Sequence, residues 1–566
     1  MSADAPSPSA RRPSALDELA DRYVDTAVAK DPFLATTLGV PGHDAEVTDF
    51  SPDAISERTE DARRLLRDIQ EVPDSDDTDT VTRAALEERL GLEIALDDAL
   101  ISRAQVNNLA SPLQMRDVLD QMPTDTAEDW EVIAERMSGF PRALEGWTET
   151  LRDASIRGES AARRQLQLGA EQARGYADPE TGFFASFARD AEAPGLDDAL
   201  RARLTDAART AADAYRQTAD VLDELAEGAT TADSVGEATY VLCSQVFLGE
   251  KVDLDETYEW GVEELRRIIA EQEDVAMRLN AHYGTDGGRD IAAAREALAR
   301  DRALTLSGTD ALQEWMQTLS DQAIEDLAGT HFDVPEPLRR LECKIARTGS
   351  GGIYYTGPSE DLSRPGRMWW DVPHGVTEFH TWAETTTVYH EGVPGHHLQV
   401  GTQTMQAQSL NRWRALMCWV SGHGEGWALY AERLMDELGY LGEDADRMGM
   451  LDAQRLRAGR VVLDIGLHVG KQMPTDLPGS SGGGWHYDSA WDFMSANWGL
   501  EEAHQRFELH RYLGWPGQAP SYKVGQRVWE QLRAEATARG EDARDFHRRA
   551  LELGSLPLSV LKKALA

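Results

Sequence analysis

His390-Glu391 stands six residues ahead of His396-His397, with Gly392, Pro394 and Gly395 between the pairs. This spacing constrains the local fold more tightly than anything else in the chain. Neutral imidazole is a preferred zinc ligand, and a glutamate next to the first histidine is placed to act as a general base toward water. The common zinc-hydrolase helix sets its histidines four residues apart on a single face. Here an unbroken helix would carry His397 in nearly the same direction as His390 but roughly 10 Å further along the axis. Zinc–nitrogen bonds are only about 2.0 Å, so that pair cannot share an ion. Proline and glycine interrupt helices and let the backbone loop out. The expectation is a kinked turn that loops out two residues and brings His396 to the place of the usual second ligand. His390 and His396 are read as metal ligands, Glu391 as the base, and His397 as a support to the ligands or a substrate contact.

A catalytic zinc takes a third protein ligand and keeps one position open. The next acidic candidates lie in Ser421-Gly422-His423-Gly424-Glu425-Gly426-Trp427-Ala428-Leu429-Tyr430-Ala431-Glu432, where glycines precede a strong helical run from Trp427 to Leu438. Glu425, in the first turn of that run, is read as the third ligand of a single zinc ion. Glu432, seven residues on, shares its face and is placed to hydrogen-bond a ligand histidine.

Three blocks together resemble one bacterial family, the domain-of-unknown-function 885 family. They are His390-Glu391-Gly392-Val393-Pro394-Gly395-His396-His397-Leu398-Gln399, Glu425 to Glu432, and Arg511-Tyr512 followed by Trp515-Pro516-Gly517-Gln518-Ala519 and Tyr522-Lys523-Val524-Gly525. The resemblance is densest over residues 350–540, with a weaker block at Asp31-Pro32-Phe33-Leu34-Ala35-Thr36. It implies a distant relation to the helical, gluzincin-like zinc peptidases and a zincin-like pair of active-site helices. It also agrees with His396 rather than His397 as the ligand, because the second of the adjacent histidines is the less strict in the pattern.

At 566 residues the chain exceeds what one core normally organises. A net charge of −42 excludes a nucleic-acid binder and disfavours docking on an anionic membrane. Cys243, Cys343 and Cys418 are too few and too scattered for a disulfide framework and suit a reducing compartment. No stretch is apolar for long enough to span a bilayer, and residues 1–13 read as a disordered tail without an apolar signal region. The expected location is the cytoplasm.

Apolar residues recur at three- and four-residue spacing through most of the first half, as over Ala15–Ala29, Asp53–Gln70, Asp79–Ile101, Thr126–Asp153, Leu196–Ala226, Asp255–Asn280 and Thr309–Leu327. The texture changes near residue 331, and residues 345–371 are rich in Gly, Pro and aromatics, as in Gly351-Gly352-Ile353-Tyr354-Tyr355 and Met368-Trp369-Trp370. The expected fold is mainly α. It comprises a helical N-terminal lobe over 14–330 and a catalytic lobe over 331–566, with a small β element beside the metal helices. By analogy with helical zinc peptidases the β element holds substrate, with Tyr355 among its contacts.

Eleven of the fourteen histidines lie from His374 onward, which concentrates the chemistry in the C-terminal part. His468, at the end of a helix, is read as an oxyanion donor. In His510-Arg511-Tyr512-Leu513-Gly514-Trp515-Pro516-Gly517-Gln518 and Tyr522-Lys523 a cluster of donors stands out in an acidic chain. Arg511 and Tyr522 are read as catalytic donors. Tyr512, Gln518 and Lys523 are read as substrate contacts that capture a terminal carboxylate. Residues 478–484, Gly- and Ser-rich, read as a flexible loop in the manner of a lid. The leading functional expectation is a zinc metallopeptidase acting on short peptides as an exopeptidase. A zinc amidohydrolase acting on a non-peptide amide or N-acyl amino acid and a non-catalytic helical metal-binding protein are the alternatives.

Overall fold

The structure, a computed structural model, describes residues 11–346, 352–359, 361–373 and 375–566. The expected tail therefore lies outside the described residues up to residue 10, as does Gly351 of the aromatic segment. Arg11 is ion-paired with Asp17, Asp76 and Asp79. The fold is mainly α: helices carry most of the chain, and among the described residues strands are confined to two small sheets. Among the described residues no helix is long and apolar enough to cross a membrane.

Helix ends follow local chemistry. Ser14 and Asp17 close a capping box at the first helix, Ala15–Lys30. The span expected as one helix over Thr126–Asp153 is two, Ala127–Ser138 and Phe140–Ile156, because Pro141 has no amide proton to continue the first. Apolar side chains form two clusters. One is local, built from helices between Val106 and Ala229 around Phe140, Trp147 and Tyr215. The other joins Leu16–Leu90 to residues from Tyr240 to the C-terminal helix, and so runs across residue 330.

The second cluster is organised by one buried helix, Asp444–Val469, which packs against Leu254–Tyr283 on one side and Thr381–Glu391 on another. The larger sheet orders its strands Leu341–Ala346, Gly366–Asp371, Ile353–Thr356; the first pair is parallel and the second antiparallel. Leu341–Ala346 mostly precedes the Gly- and aromatic-rich span. A second, two-stranded pairing joins Thr305–Ser307 to Glu378–His380, immediately before helix Thr381–Glu391. Residues 470–484 lie against neighbouring elements, with the Tyr258 hydroxyl donating to the Gln472 carbonyl at 2.8 Å. Asp476 is ion-paired to Arg266 at 2.7 Å, and Gln472 bridges Gly484, so the segment is fastened to the helix Leu254–Tyr283.

Helix Ser421–Glu437 crosses Ser521–Ala538 at glycine: a Cβ on Gly525 would overlap the Gly422 carbonyl oxygen, and one on Gly426 would overlap Gly525. Helix axes can approach this closely only where side chains are missing. Gly525→Ala should therefore separate the two helices and cost about 1–3 kcal/mol. Thermal unfolding measures it, and an unchanged midpoint would contradict the tight crossing.

Candidate metal centre

The chain bends between the two histidine pairs. Helix Thr381–Glu391 ends, residues 392–395 turn, and a new helix, His396–Met405, begins. This is a four-residue break rather than the expected two-residue bulge. Gly395 N–H donates to the Tyr389 carbonyl at 3.1 Å, and His397 N–H to the Gly392 carbonyl at 3.2 Å. Gly395 sits so close to the preceding turn that a Cβ there would overlap the His390 carbonyl oxygen. The carbonyl of Pro394 is taken by Trp427 Nε1–H at 2.8 Å, from the helix that carries Glu425. The same helix therefore holds the turn and delivers the acid. It starts at Ser421, earlier than expected, and places Glu425 in its second turn.

The result is a cluster in which one ligand atom each from His390, His396 and Glu425 lie within 4.8 Å of one another. His390 Nε2 is 3.3 Å and His396 Nε2 3.6 Å from Glu425 Oε2, and the two rings stand at 88° with centroids 4.9 Å apart. His390 Nδ1–H donates to Glu432 Oε1 at 2.7 Å, which turns Nε2 toward the cluster. Glu432 Oε2 accepts from Thr386 Oγ1 at 3.0 Å and lies 3.5 Å from Gln454 Nε2.

Charge is confined here at high density. Burial alone would depress the His390 imidazolium, but the carboxylates of Glu425, in contact at 3.3 Å, and of Glu432, hydrogen-bonded at 2.7 Å, outweigh it and push the group up to about 10. Burial works against the ionised Glu425 too, yet the two imidazoles hold its carboxyl well below the usual carboxylate range. Glu432 is likewise held low, by His390, against its burial. Glu391 is raised by burial, although His390 and His396 oppose the shift. Glu391 Oε2, Glu425 Oε2 and His396 Nδ1 are buried without a hydrogen-bond partner. Two imidazoles, a carboxylate and unpaired buried acceptors form a donor set that suits a divalent cation such as zinc.

The other expected residues divide. Tyr522 is half-buried, and its hydroxyl lies 3.4 Å from Arg511 Nη2. Arg511 is engaged by Glu508 at 3.0 Å and by Gln518 Oε1 at 2.7 Å, so Gln518 orients an arginine rather than meeting a substrate. Tyr512 is buried and bonded to Glu508 and Arg460. Lys523 is buried against Gln454 at 2.5 Å, Gln526 at 3.0 Å and Glu264 at 2.9 Å. His468 is buried, donates from Nε2 to the Tyr512 carbonyl at 3.0 Å and stacks on Tyr240. His397 donates from Nε2 to the Leu338 carbonyl at 2.8 Å and accepts from the Tyr355 hydroxyl at 2.9 Å, so each occupies the other. Burial lowers the His397 imidazole to about 4 and keeps it neutral. His468, Tyr512, Lys523 and His397 are all buried and spend polar atoms on other residues of the chain, which for His397 fits the first of its two readings, a support to the ligands. A cavity lined by Val106, Gln165, Thr239, Cys243, Leu513 and Pro516 touches none of His390, His396 and Glu425.

One residue escaped the sequence reading. Arg457 lies on helix Asp444–Val469 one turn beyond Gln454, and its charge favours the ionised forms of both Glu391 and Glu432. Nothing local distinguishes it from Arg455 and Arg460, and only the approach of the two helices marks it.

The chain belongs to the family described as bacterial protein of unknown function (DUF885), whose model matches residues 32–565. Two solved structures of putative lipoproteins have a similar fold. One, from Colwellia psychrerythraea, is 21% identical with a TM-score of 0.82, covering 97% of this chain and 98% of its own. Another, of unknown function and from Shewanella oneidensis, is 16% identical with a TM-score of 0.72, covering 97% and 99%. No curated protein matches.

Glu432→Gln removes the charge that orients His390 and should weaken zinc binding about 10- to 100-fold, read by competition with a chelator; unchanged affinity would remove Glu432 from the site. Because His390 holds its proton up to about pH 10, an incoming cation must displace it. Zinc affinity should thus fall as pH is lowered, by about tenfold per unit from about pH 9 to about pH 6. Titration calorimetry in buffers of different ionisation enthalpy checks the accompanying proton release.

Proposed function

We propose that this member of the DUF885 family is a zincin-like metallohydrolase, a zinc-dependent peptidase that cleaves amide bonds of short peptides from one end. The observation that carries the reading is the convergence of His390, His396 and Glu425 beside a buried glutamate, Glu391, with an unpaired oxygen. A purely structural zinc site is closed by four ligands and has no use for such a base. The proposed location is the cytoplasm, in keeping with three free, buried cysteines.

His390, His396 and Glu425 would hold the ion. Zinc, when bound, supplies Lewis-acid polarisation of the scissile carbonyl and lowers the pKa of water toward about 7. Glu391 takes the proton as the water oxygen bonds to the carbonyl carbon. The same carboxyl then gives that proton to the amine nitrogen as the C–N bond breaks. A base that must accept and return a proton near neutral pH benefits from the upward shift that burial gives Glu391. Tyr522, whose oxygen lies 3.4 Å from Arg511 Nη2, keeps its own proton to donate to the developing oxyanion.

Glu391→Gln should keep its zinc and lose about 10²- to 10⁴-fold in turnover of a mixed peptide pool. A chelator should abolish cleavage by the wild-type protein, and added zinc should restore it. Undiminished hydrolysis by metal-loaded Glu391→Gln, or by metal-stripped wild type, would falsify the proposal.

A further inference from the structure

Three arginines follow one another from helix Asp444–Val469 to the next packed segment: Arg457, Arg460 and Arg511. Two of them share a single carboxylate. Arg460 Nη2 is 2.7 Å and Arg511 Nη1 3.0 Å from Glu508, and Arg460 Nε donates to the Tyr512 hydroxyl at 2.7 Å. Arg460 also lies over the Tyr522 ring at 5.1 Å. Arg457 differs. Among the described residues it makes no ion pair; its Nη1 donates only to the Ala453 carbonyl of its own helix, at 3.3 Å, and its Nε is buried without a partner. A guanidinium offers five N–H donors in a planar fork, so most of this one is unspent.

Its position gives the vacancy meaning. Gln454, three residues earlier on the same helix face, lies 3.5 Å from Glu432, the residue that orients His390. Arg460, three residues later, leads to Tyr522. Arg457 therefore stands between the metal cluster and the tyrosine that the reaction would use. Its charge favours the ionised forms of Glu391 and Glu432, yet among the described residues no carboxylate takes its N–H donors, which stay available beside the cluster. A substrate anion supplies the missing partner.

We propose that Arg457 forms a carboxylate subsite, which takes the free C-terminal carboxylate of a short peptide and sets the scissile bond against the metal cluster. The capture of a terminal carboxylate, expected of the cluster over residues 510–523, moves to Arg457, because Lys523 and Tyr512 are buried and Arg511 is already spent on Glu508 and Gln518. The inference rests on the peptidase reading for the identity of the substrate, and on Arg457 alone for the preference for an acid.

The test compares a tripeptide pool bearing free C-termini with the same pool amidated, using the full-length, zinc-loaded protein. In hydrolysis, Arg457→Ala should raise KM for the acids by at least about tenfold more than KM for the amides, whereas its loss of charge beside Glu391 and Glu432 falls on kcat of both pools alike. Arg457→Lys, which keeps the charge and loses the fork, should fall between. In binding, measured by calorimetry on Glu391→Gln so that nothing turns over, acids should outbind amides by at least about tenfold, and adding Arg457→Ala should erase the difference. Unchanged zinc content and thermal midpoint show that each variant is folded. Failure of the peptidase reading appears as absent hydrolysis with the binding preference intact. The carboxylate subsite is overturned if acids and amides bind alike or not at all, if Arg457→Ala leaves the preference unchanged, or if amidated peptides ending in glutamate bind as well as the free acids.

Discussion

The site depends on one close contact: the backbone of Gly395 lying against the carbonyl oxygens of Tyr389 and His390. That approach lets helix Thr381–Glu391 stop and helix His396–Met405 start almost at once, so that two imidazoles six residues apart in sequence face each other with centroids 4.9 Å apart. A continuous helix would leave them roughly 9 Å apart along its axis. The broken ends leave carbonyls that need donors, and the Trp427 indole supplies one. Because Trp427 lies two residues after Glu425, the side chain that satisfies the turn and the side chain that completes the cluster are set by the same helix. Local backbone chemistry and the assembly of the site are one event.

That assembly is costly. Burying three carboxylates with two imidazoles gives up hydration that mutual attraction restores only in part. The protein offsets this by ordering the charges. Glu425 and Glu432 are held ionised by the histidines, whereas Glu391 is left with an unpaired buried oxygen and is pushed the other way. Adjacent carboxylates whose environments drive them apart are the usual arrangement where one must bind and another must exchange protons. A purely stabilising network would pair its buried atoms, and this one leaves them unpaired where a cation and a substrate would stand.

Much of this was legible in the sequence, for identifiable reasons. Helices announce themselves by periodicity, and a histidine spacing incompatible with a straight helix demanded a break, for which Gly392, Pro394 and Gly395 supplied the means. The length of the break was not legible, since it is set by Gly395 nesting on the previous turn and by Trp427 from a distant segment. The glycines at 422 and 426 read as punctuation before a helix. They lie within it, because the need they answer is the passage of Gly525 on another helix. Charged and polar side chains were the hardest to place. Lys523, Tyr512 and His468 have the chemistry of substrate contacts, and only tertiary neighbours place them in the interior; His397 had two readings, and its neighbours fit the supporting one. Arg457 is the reverse case, an unremarkable arginine in a helix whose environment singles it out.

These misplaced residues are not incidental to the site, because several of them carry its geometry. Lys523 is ion-paired to Glu264 and bonded to Gln454, Gln454 reaches Glu432, and Glu432 holds His390. The chain of contacts runs from helix Leu254–Tyr283 through Ser521–Ala538 and Asp444–Val469 to Ser421–Glu437 and then to Thr381–Glu391, so the orientation of one imidazole is referred to helices distant in sequence. His397 does the same on the opposite side, tying the helix of His396 to Leu338 and, through Tyr355, to the edge strand of the larger sheet. The helices that carry His390 and His396 are thus each braced from a different layer of the fold. A cluster with unpaired buried atoms would otherwise relax toward whatever donors lay nearest. These struts keep it open, which is why residues with no access to a substrate belong to any physical account of how the site works.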